Sequence, residues 1–306
     1  IKATSPPDPL STSWKEAGVR LLLSTFLTNY SNRSRAIIGF KLIAPEWMPI
    51  MLTLTDVCRT FGGLHALTNV NMTVPNGRVV GLIGPNGAGK TTLINNISGL
   101  DHPTSGRIEF RGRDISHLPP HRITTSGIAR TYQNIRLFGD MTALENLLIG
   151  QHGRGRASAL EALLFSPRYM REERRLRQNG RALLDRFGMG ALADARAGAL
   201  PYGDQRRLEM ARALATAPKL LLLDEPTAGM NPVETHDLGE QIIRLRADGL
   251  TVLVIEHDMS LIQQVCDEIY VLNFGQIIAH GTHEEIKHNP AVIQAYLGED
   301  DDDGAA

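Results

Sequence analysis

The sequence predicts an α/β layered protein, with a parallel sheet at its core, an antiparallel sheet beside it and a helical segment set between strands. Three observations carry this expectation. Residues 219–223 and 251–255 are short apolar runs suited to central parallel strands, and between them Leu238, Ile242 and Leu245 recur at helical spacing. Residues 51–57 and 69–74 alternate apolar and polar side chains, as half-buried antiparallel strands do. Residues from about 140 to 215 are rich in Leu, Ala, Arg and Glu and read as helix.

In chain order, residues 1–50 hold the turn-rich Ser5-Pro6-Pro7-Asp8-Pro9, an apolar patch around Leu21 to Leu27, and no sustained period. They read as a poorly ordered leader or extension ahead of a natural start at Met51, with an anchor or the remnant of a fused neighbour as the alternative. Pro75-Asn76-Gly77 supplies a turn after the second alternating run, and residues 78–83 form a buried strand running into a Gly-rich loop. The helix that opens there should end near Gly99. Turn residues 102–106 then lead to an alternating strand at 107–110. Residues 299–303 are an acidic tail, read as solvated.

The 306 residues suit one large domain or two small ones, and 42% hydrophobic with 21% charged residues supports a well-buried core. A net charge of -1 provides no basic field that would argue for nucleic acid. Cys58 and Cys266 are too few for a disulfide framework and lack metal-ligand spacing, which fits a reducing compartment. No apolar run approaches the ~18 residues needed to span a bilayer. Work at a membrane would therefore need another component to hold the chain there.

The chemistry concentrates in two motifs. Gly84-Pro85-Asn86-Gly87-Ala88-Gly89-Lys90-Thr91 matches G-x-x-x-x-G-K-[ST] between a strand and a helix, the context the pattern requires. The glycines let backbone N–H groups turn inward around a phosphate chain, and the helix start favours anions. Lys90 would bring positive charge to the β- and γ-phosphates, Thr91 a hydroxyl for Mg²⁺, and Thr92 closes the binding segment. Residues 220–225 form an apolar strand ending in Asp224 and Glu225. Asp224 is placed to hold Mg²⁺ through water, and Glu225 to orient and polarise an attacking water. Alone the second motif is weak; paired with an upstream phosphate loop it is strong.

Residues 201–212, beginning Pro201-Tyr202-Gly203-Asp204-Gln205-Arg206, resemble the signature segment of ABC ATPases. Gln133 matches that family's Q-loop glutamine, Asn231 falls in its D-loop (residues 228–232), and His257 matches its switch histidine. Phe61 resembles the aromatic that stacks on adenine. The resemblance runs from Met51 to about Gly298 with the motifs in order. It implies a P-loop NTPase (RecA-like) core with an antiparallel β subdomain and a helical signature subdomain at about 134–215. It implies ATP and Mg²⁺ as cofactors, catalysis by Glu225, His257 and Lys90, and metal contacts from Thr91, Gln133 and Asp224. Tyr202, Gly203, Asp204 and Gln205 would contact the ATP of a second ATP-binding subunit, identical or related, in a head-to-tail dimer. Tyr202 and Asp204 replace the serine and second glycine of L-S-G-G-Q, which leaves backbone N–H groups and the helix start to serve there.

A finer resemblance is to the ATP-binding subunits of high-affinity branched-chain amino acid importers. It rests on residues 201–207, a helical insertion after Gly150-Gln151-His152, Ile255-Glu256-His257-Asp258-Met259, and Ala295-Tyr296-Leu297-Gly298-Glu299. Importers of urea and short amides share much of this pattern. The implied partners are multispan membrane permease subunits and, indirectly, a periplasmic or extracellular solute-binding protein. The implied location is peripheral, on the cytoplasmic face of the plasma (inner) membrane. A soluble ABC ATPase acting on nucleic acid or ribosomes would usually carry two cassettes, a long coiled coil or zinc-binding cysteines, so no nucleic-acid partner is expected. A non-catalytic scaffold is disfavoured by Lys90, Glu225 and His257 together. Leu137, Phe138 and Met141 follow the Q-loop glutamine, where core packing or a partner groove would bury them. Glu145 and the Arg-rich residues 168–181 read as solvated helix faces.

Overall fold

The computed structural model describes residues 49–154 and 166–297. The expected acidic tail and all but the last two residues of the expected leader lie outside the described residues. Strands β1 (Ile50–Phe61) and β2 (Leu64–Pro75) form an antiparallel hairpin turned by Gly62 and Gly63, both at positive φ. The first strand thus begins one residue inside the expected leader. Strand β3 (Val79–Ile83) leads through the Gly-rich loop into α1 (Lys90–Ser98), which ends at Gly99 in the left-handed conformation. Strands β4 (Ser105–Phe110) and β5 (Arg113–Asp114) complete a four-stranded antiparallel sheet of order β2-β1-β4-β5.

Helix α2 (Pro120–Ser126) and strand β6 (Ile128–Arg130) follow. The helical segment then comprises α3 (Ala143–Gln151), α4 (Pro167–Arg186) and α5 (Tyr202–Ala215), with short 3-10 turns at Gly190–Leu192 and Ala197–Ala199. Strand β7 (Leu220–Asp224), helix α6 (Pro232–Ala247), strand β8 (Thr251–Ile255) and helix α7 (Met259–Val265) rebuild the strand–helix alternation. Strands β9 (Glu268–Asn273) and β10 (Gln276–Gly281) and helices α8 (His283–Lys287) and α9 (Pro290–Leu297) end the described chain.

The second sheet has order β10-β9-β3-β8-β7-β6, parallel throughout except for the edge strand β10. Every residue of β3, β7 and β8 is buried, so both faces of this sheet must be covered. The period-2 pleat sorts the side chains. Leu221, Leu223, Val252 and Val254 pack in one core with residues of α3, α5 and α6. Leu220, Leu222, Leu253 and Ile255 pack in the other, with α1 and the inward residues Leu52, Leu54, Val70 and Met72 of the antiparallel sheet. Each such side chain contributes about 1.5–3 kcal/mol by leaving water. Leu82 and Asp224 both pair with Ile255 in the register, so β3, β7 and β8 end at the same edge of the sheet. Ligands of open α/β sheets bind outside that carboxyl edge. The Gly-rich loop, Glu225 and His257 all leave from it.

Candidate functional site

The loop between β3 and α1 is shaped by its glycines. Gly84, Gly87 and Gly89 have φ of 150°, 74° and 104°. A Cβ at Gly84 would lie 2.0 Å from the Leu272 carbonyl oxygen, and one at Gly89 would lie 2.7 Å from that of Ala66. The loop is therefore pressed onto β9 and β2, a cradle that side chains would fill. Asn86, Gly87 and Thr91 are exposed, Thr92 is half-buried and Ala88 is buried. Lys90 is buried, its ammonium donating to the carbonyls of Gly84 and Pro85, the latter at 2.7 Å. Helix α1 has neither a capping side chain nor an acidic residue in its first turn. Its positive end therefore favours an anion, and the loop fits a phosphate chain.

At the end of β7, Asp224 is buried and its Oδ2 accepts a 2.8 Å hydrogen bond from Arg130 Nη2. Its Nη1 donates to Asn95 Oδ1 at 2.7 Å and Ser98 Oγ at 2.9 Å, so Arg130 ties α1, β6 and β7 together. Glu225 has a φ of 46°, uncommon for a side chain of this kind, and its N–H donates to the Ile255 carbonyl at 2.9 Å. Its Oε2 accepts from Gln133 Nε2 at 2.6 Å. Gln133 and Glu225 are thus brought together across 92 positions of sequence. The His257 side chain is 65% exposed, with Nδ1 3.7 Å from the carboxylate of Glu256.

Phe61 ends β1 with its ring half exposed and the Arg59 guanidinium 4.3 Å above its centroid. Arg59 is itself held by Asp101 at 2.7 Å.

Tyr202, Gly203, Asp204 and Gln205 form the first turn of α5. Gln205 Nε2 donates to the Leu200 carbonyl at 2.8 Å, and Asp204 pairs with Arg207 at 3.4 Å. A Cβ at Gly229 would meet the Tyr202 ring at 2.9 Å, and one at Gly203 would meet Glu234 Oε1 at 2.7 Å. The segment therefore packs on residues 228–234. There Asn231 caps α6 by accepting from the N–H groups of Val233 and Glu234, each at 3.0 Å.

Deeper in α5, Arg206 and Glu209 form a buried pair at 3.1 Å. Arg206 also donates to the carbonyls of Tyr132 and Gln133, and Glu209 accepts from the N–H groups of Tyr132 and Arg136. Burial pushes the Glu209 carboxyl above the usual range, against the pull of Arg206. Sequence reading passed over Arg130, Glu209 and Glu256, since a lone charged residue is most often solvated; only their burial singles them out. The three apolar residues after Gln133 divide. Leu137 packs against the core, whereas Phe138 is 49% exposed and Met141 is also exposed. Among the described residues no helix is long and apolar enough to cross a membrane.

Residues 67–228 match the ABC transporter family, and residues 276–302 match the branched-chain amino acid ATP-binding cassette transporter family. The chain is 46% identical over 250 residues to the high-affinity branched-chain amino acid transport ATP-binding protein BraF of Pseudomonas aeruginosa, covering 81% of this chain and 98% of that protein. Identity to LivG of Escherichia coli, which bears the same description, is 45% with the same coverage. A crystal structure of the ADP conformation of an ATP-binding cassette of an ABC transporter superposes with a TM-score of 0.72 and 36% identity, over 81% of this chain and 99% of that one. With the phosphate loop and paired carboxylates at one edge of an α/β sheet, the chain belongs to the ABC transporter family as an ATP-binding, ATP-hydrolysing cassette of the branched-chain amino acid transport type.

Proposed function

We propose that this chain powers the uptake of branched-chain amino acids by hydrolysing MgATP at the carboxyl edge of its parallel sheet. The observation that carries the chemical part is the 2.6 Å contact between Gln133 and Glu225, at the end of β7 on the sheet edge from which the phosphate loop also leaves. The solute is inferred from likeness to BraF and LivG.

Gly84, Asn86, Gly87, Ala88 and Gly89 would wrap the phosphates with backbone N–H groups, and Phe61 would stack on adenine. Lys90 would exchange the loop carbonyls for the β- and γ-phosphates. Thr91, Gln133 and Asp224 would hold Mg²⁺, which when bound offsets phosphate charge. Glu225 orients and polarises water, and His257 contacts the γ-phosphate. Tyr202, Gly203, Asp204 and Gln205 would meet the nucleotide of a second ATP-binding subunit, identical or related. Multispan permease subunits would hold the complex at the cytoplasmic face of the membrane, with a solute-binding protein on the far side.

The test is Glu225→Gln. The amide is nearly isosteric but cannot take a proton, so ATP affinity should persist while turnover falls by at least ~100-fold. Near-normal hydrolysis by the variant would overturn the assignment. Uptake of labelled leucine, with urea and short amides as competitors, tests the solute: competition by urea alone would replace the amino acid reading.

A further inference from the structure

We infer that Glu256 is a positioning residue for ATP hydrolysis, acting through His257; this rests on the catalytic reading of Glu225 and His257 above. Glu256 follows β8 and is fully buried, at 0% exposure, yet no role falls to it in the proposed chemistry. A buried carboxylate is costly unless its lone pairs are satisfied. Here four donors converge on it, and they divide by oxygen. Oε1 accepts from Thr227 N at 2.8 Å and Thr227 Oγ1 at 2.5 Å. Oε2 accepts from His257 N at 3.0 Å and Asp258 N at 3.3 Å.

The division matters because the two sets of donors belong to different loops. Thr227 lies two residues after Glu225, in the loop leaving β7. His257 and Asp258 lie in the loop leaving β8. One side chain therefore fixes the backbone that carries the proposed water-polarising carboxylate relative to the backbone that carries the proposed switch histidine. Glu256 is itself anchored to the third strand of the site, its N–H donating to the Leu82 carbonyl at 3.4 Å. With the His257 N–H held by Glu256, its side chain leaves the backbone from a fixed point, its Nδ1 lying 3.7 Å from Glu256 Oε2. Preorganisation of this kind removes the reorganisation that would otherwise accompany the chemical step.

Glutamine at this position cannot serve both loops. Its Oε1 can accept for one, but its amide nitrogen would face N–H donors of the other and leave them unpaired. The experiment is a double-mutant cycle on the full-length chain, measuring steady-state ATP turnover in wild type, Glu256→Gln, His257→Ala and the double variant. Glu256→Gln should lower kcat about tenfold or more with KM for ATP within about twofold, and should change turnover by less than about twofold in the His257→Ala background. Effects that multiply in the double variant would overturn the inference, as would a loss confined to KM. A structural role alone would lower the melting temperature and multiply. If Glu256→Gln does not fold, Thr227→Val enters the same cycle, since it removes only the hydroxyl bond. Wild-type turnover by His257→Ala would instead overturn the reading of His257 itself, and the inference with it.

Discussion

Gly84 sits where three constraints meet: a φ of 150°, the Leu272 carbonyl 2.0 Å from any added Cβ, and the turn that starts the phosphate loop. Backbone oxygen cannot move aside as a flexible side chain can. Gly84→Ala should therefore push the loop out of shape, lowering ATP affinity by at least about tenfold and stability by about 1–3 kcal/mol. Isothermal titration with nucleotide and a denaturant midpoint would check both. Arg130 makes the same argument with charge. Its side chain and that of Asp224 are nearly solvent-free, and it also satisfies Asn95 and Ser98. Arg130→Met would leave the carboxylate buried without its partner, at an expected cost of about 3–5 kcal/mol. A loss under about 1 kcal/mol in urea unfolding would mean that Asp224 is satisfied some other way. The glycine pattern was legible in sequence, because the turn is local. The arginine was not, because it meets Asp224 across 94 positions of chain.

At the scale of elements, three helices among the described residues open with the same reciprocal cap. Thr142 with Glu145 starts α3, Asn231 with Glu234 starts α6, and Thr282 with Glu285 starts α8. Glu145, read from sequence as a solvated acid, is exposed but accepts from both the backbone N–H and the hydroxyl of Thr142. Those two bonds hold its carboxyl below the ordinary value, and the matching bonds from Thr282 do the same for Glu285. A carboxyl lowered by folding contributes stability above its unfolded pKa, and that contribution is lost as pH falls through the folded value. Acid titration should therefore reduce stability below pH 4.5, the ordinary glutamate value, and Glu145→Gln with Glu285→Gln should flatten this part of the profile. An unchanged profile would show that the caps carry no pH dependence. The α6 cap lies beside the signature turn. Asn231→Ala should cost about 1 kcal/mol of stability by leaving the Val233 and Glu234 N–H groups without their acceptor. A denaturant midpoint at the wild-type value would show that water replaces the cap.

For the whole molecule, the exposed ring of Phe138 lies just beyond the Q-loop backbone that Arg206 and Glu209 hold to α5. Its neighbour Leu137 is committed to the core, so a charge is tolerable at 138 but not at 137. If a permease helix docks on this face, Phe138→Asp should leave ATP affinity within about twofold and thermal stability intact while solute uptake collapses. Uptake at the wild-type rate would rule the docking role out, and unfolding of the isolated variant would return Phe138 to the core.

Periodicity and local motif were enough to place the parallel strands β3, β7 and β8, the first helix and its glycine cap, the phosphate loop and the acidic end of β7. Each depends on neighbours within one turn or one pleat, so the residues that decide it are adjacent in the chain. The β9–β10 hairpin and the three-residue β6 were not anticipated; β10 and β6 are the edge strands of the sheet and take their definition from the strand they join. The partnerships of the site came from tertiary structure alone: Gln133 with Glu225, Arg130 with Asp224, Arg206 and Glu209 with the Q-loop backbone, and Glu256 with two loops at once. A hydrophobic period records which face of an element is buried, but not which distant segment covers it. Such pairings exist only after long loops close, and the entropy of closing them is repaid by the packed core as a whole rather than by the residues that then meet.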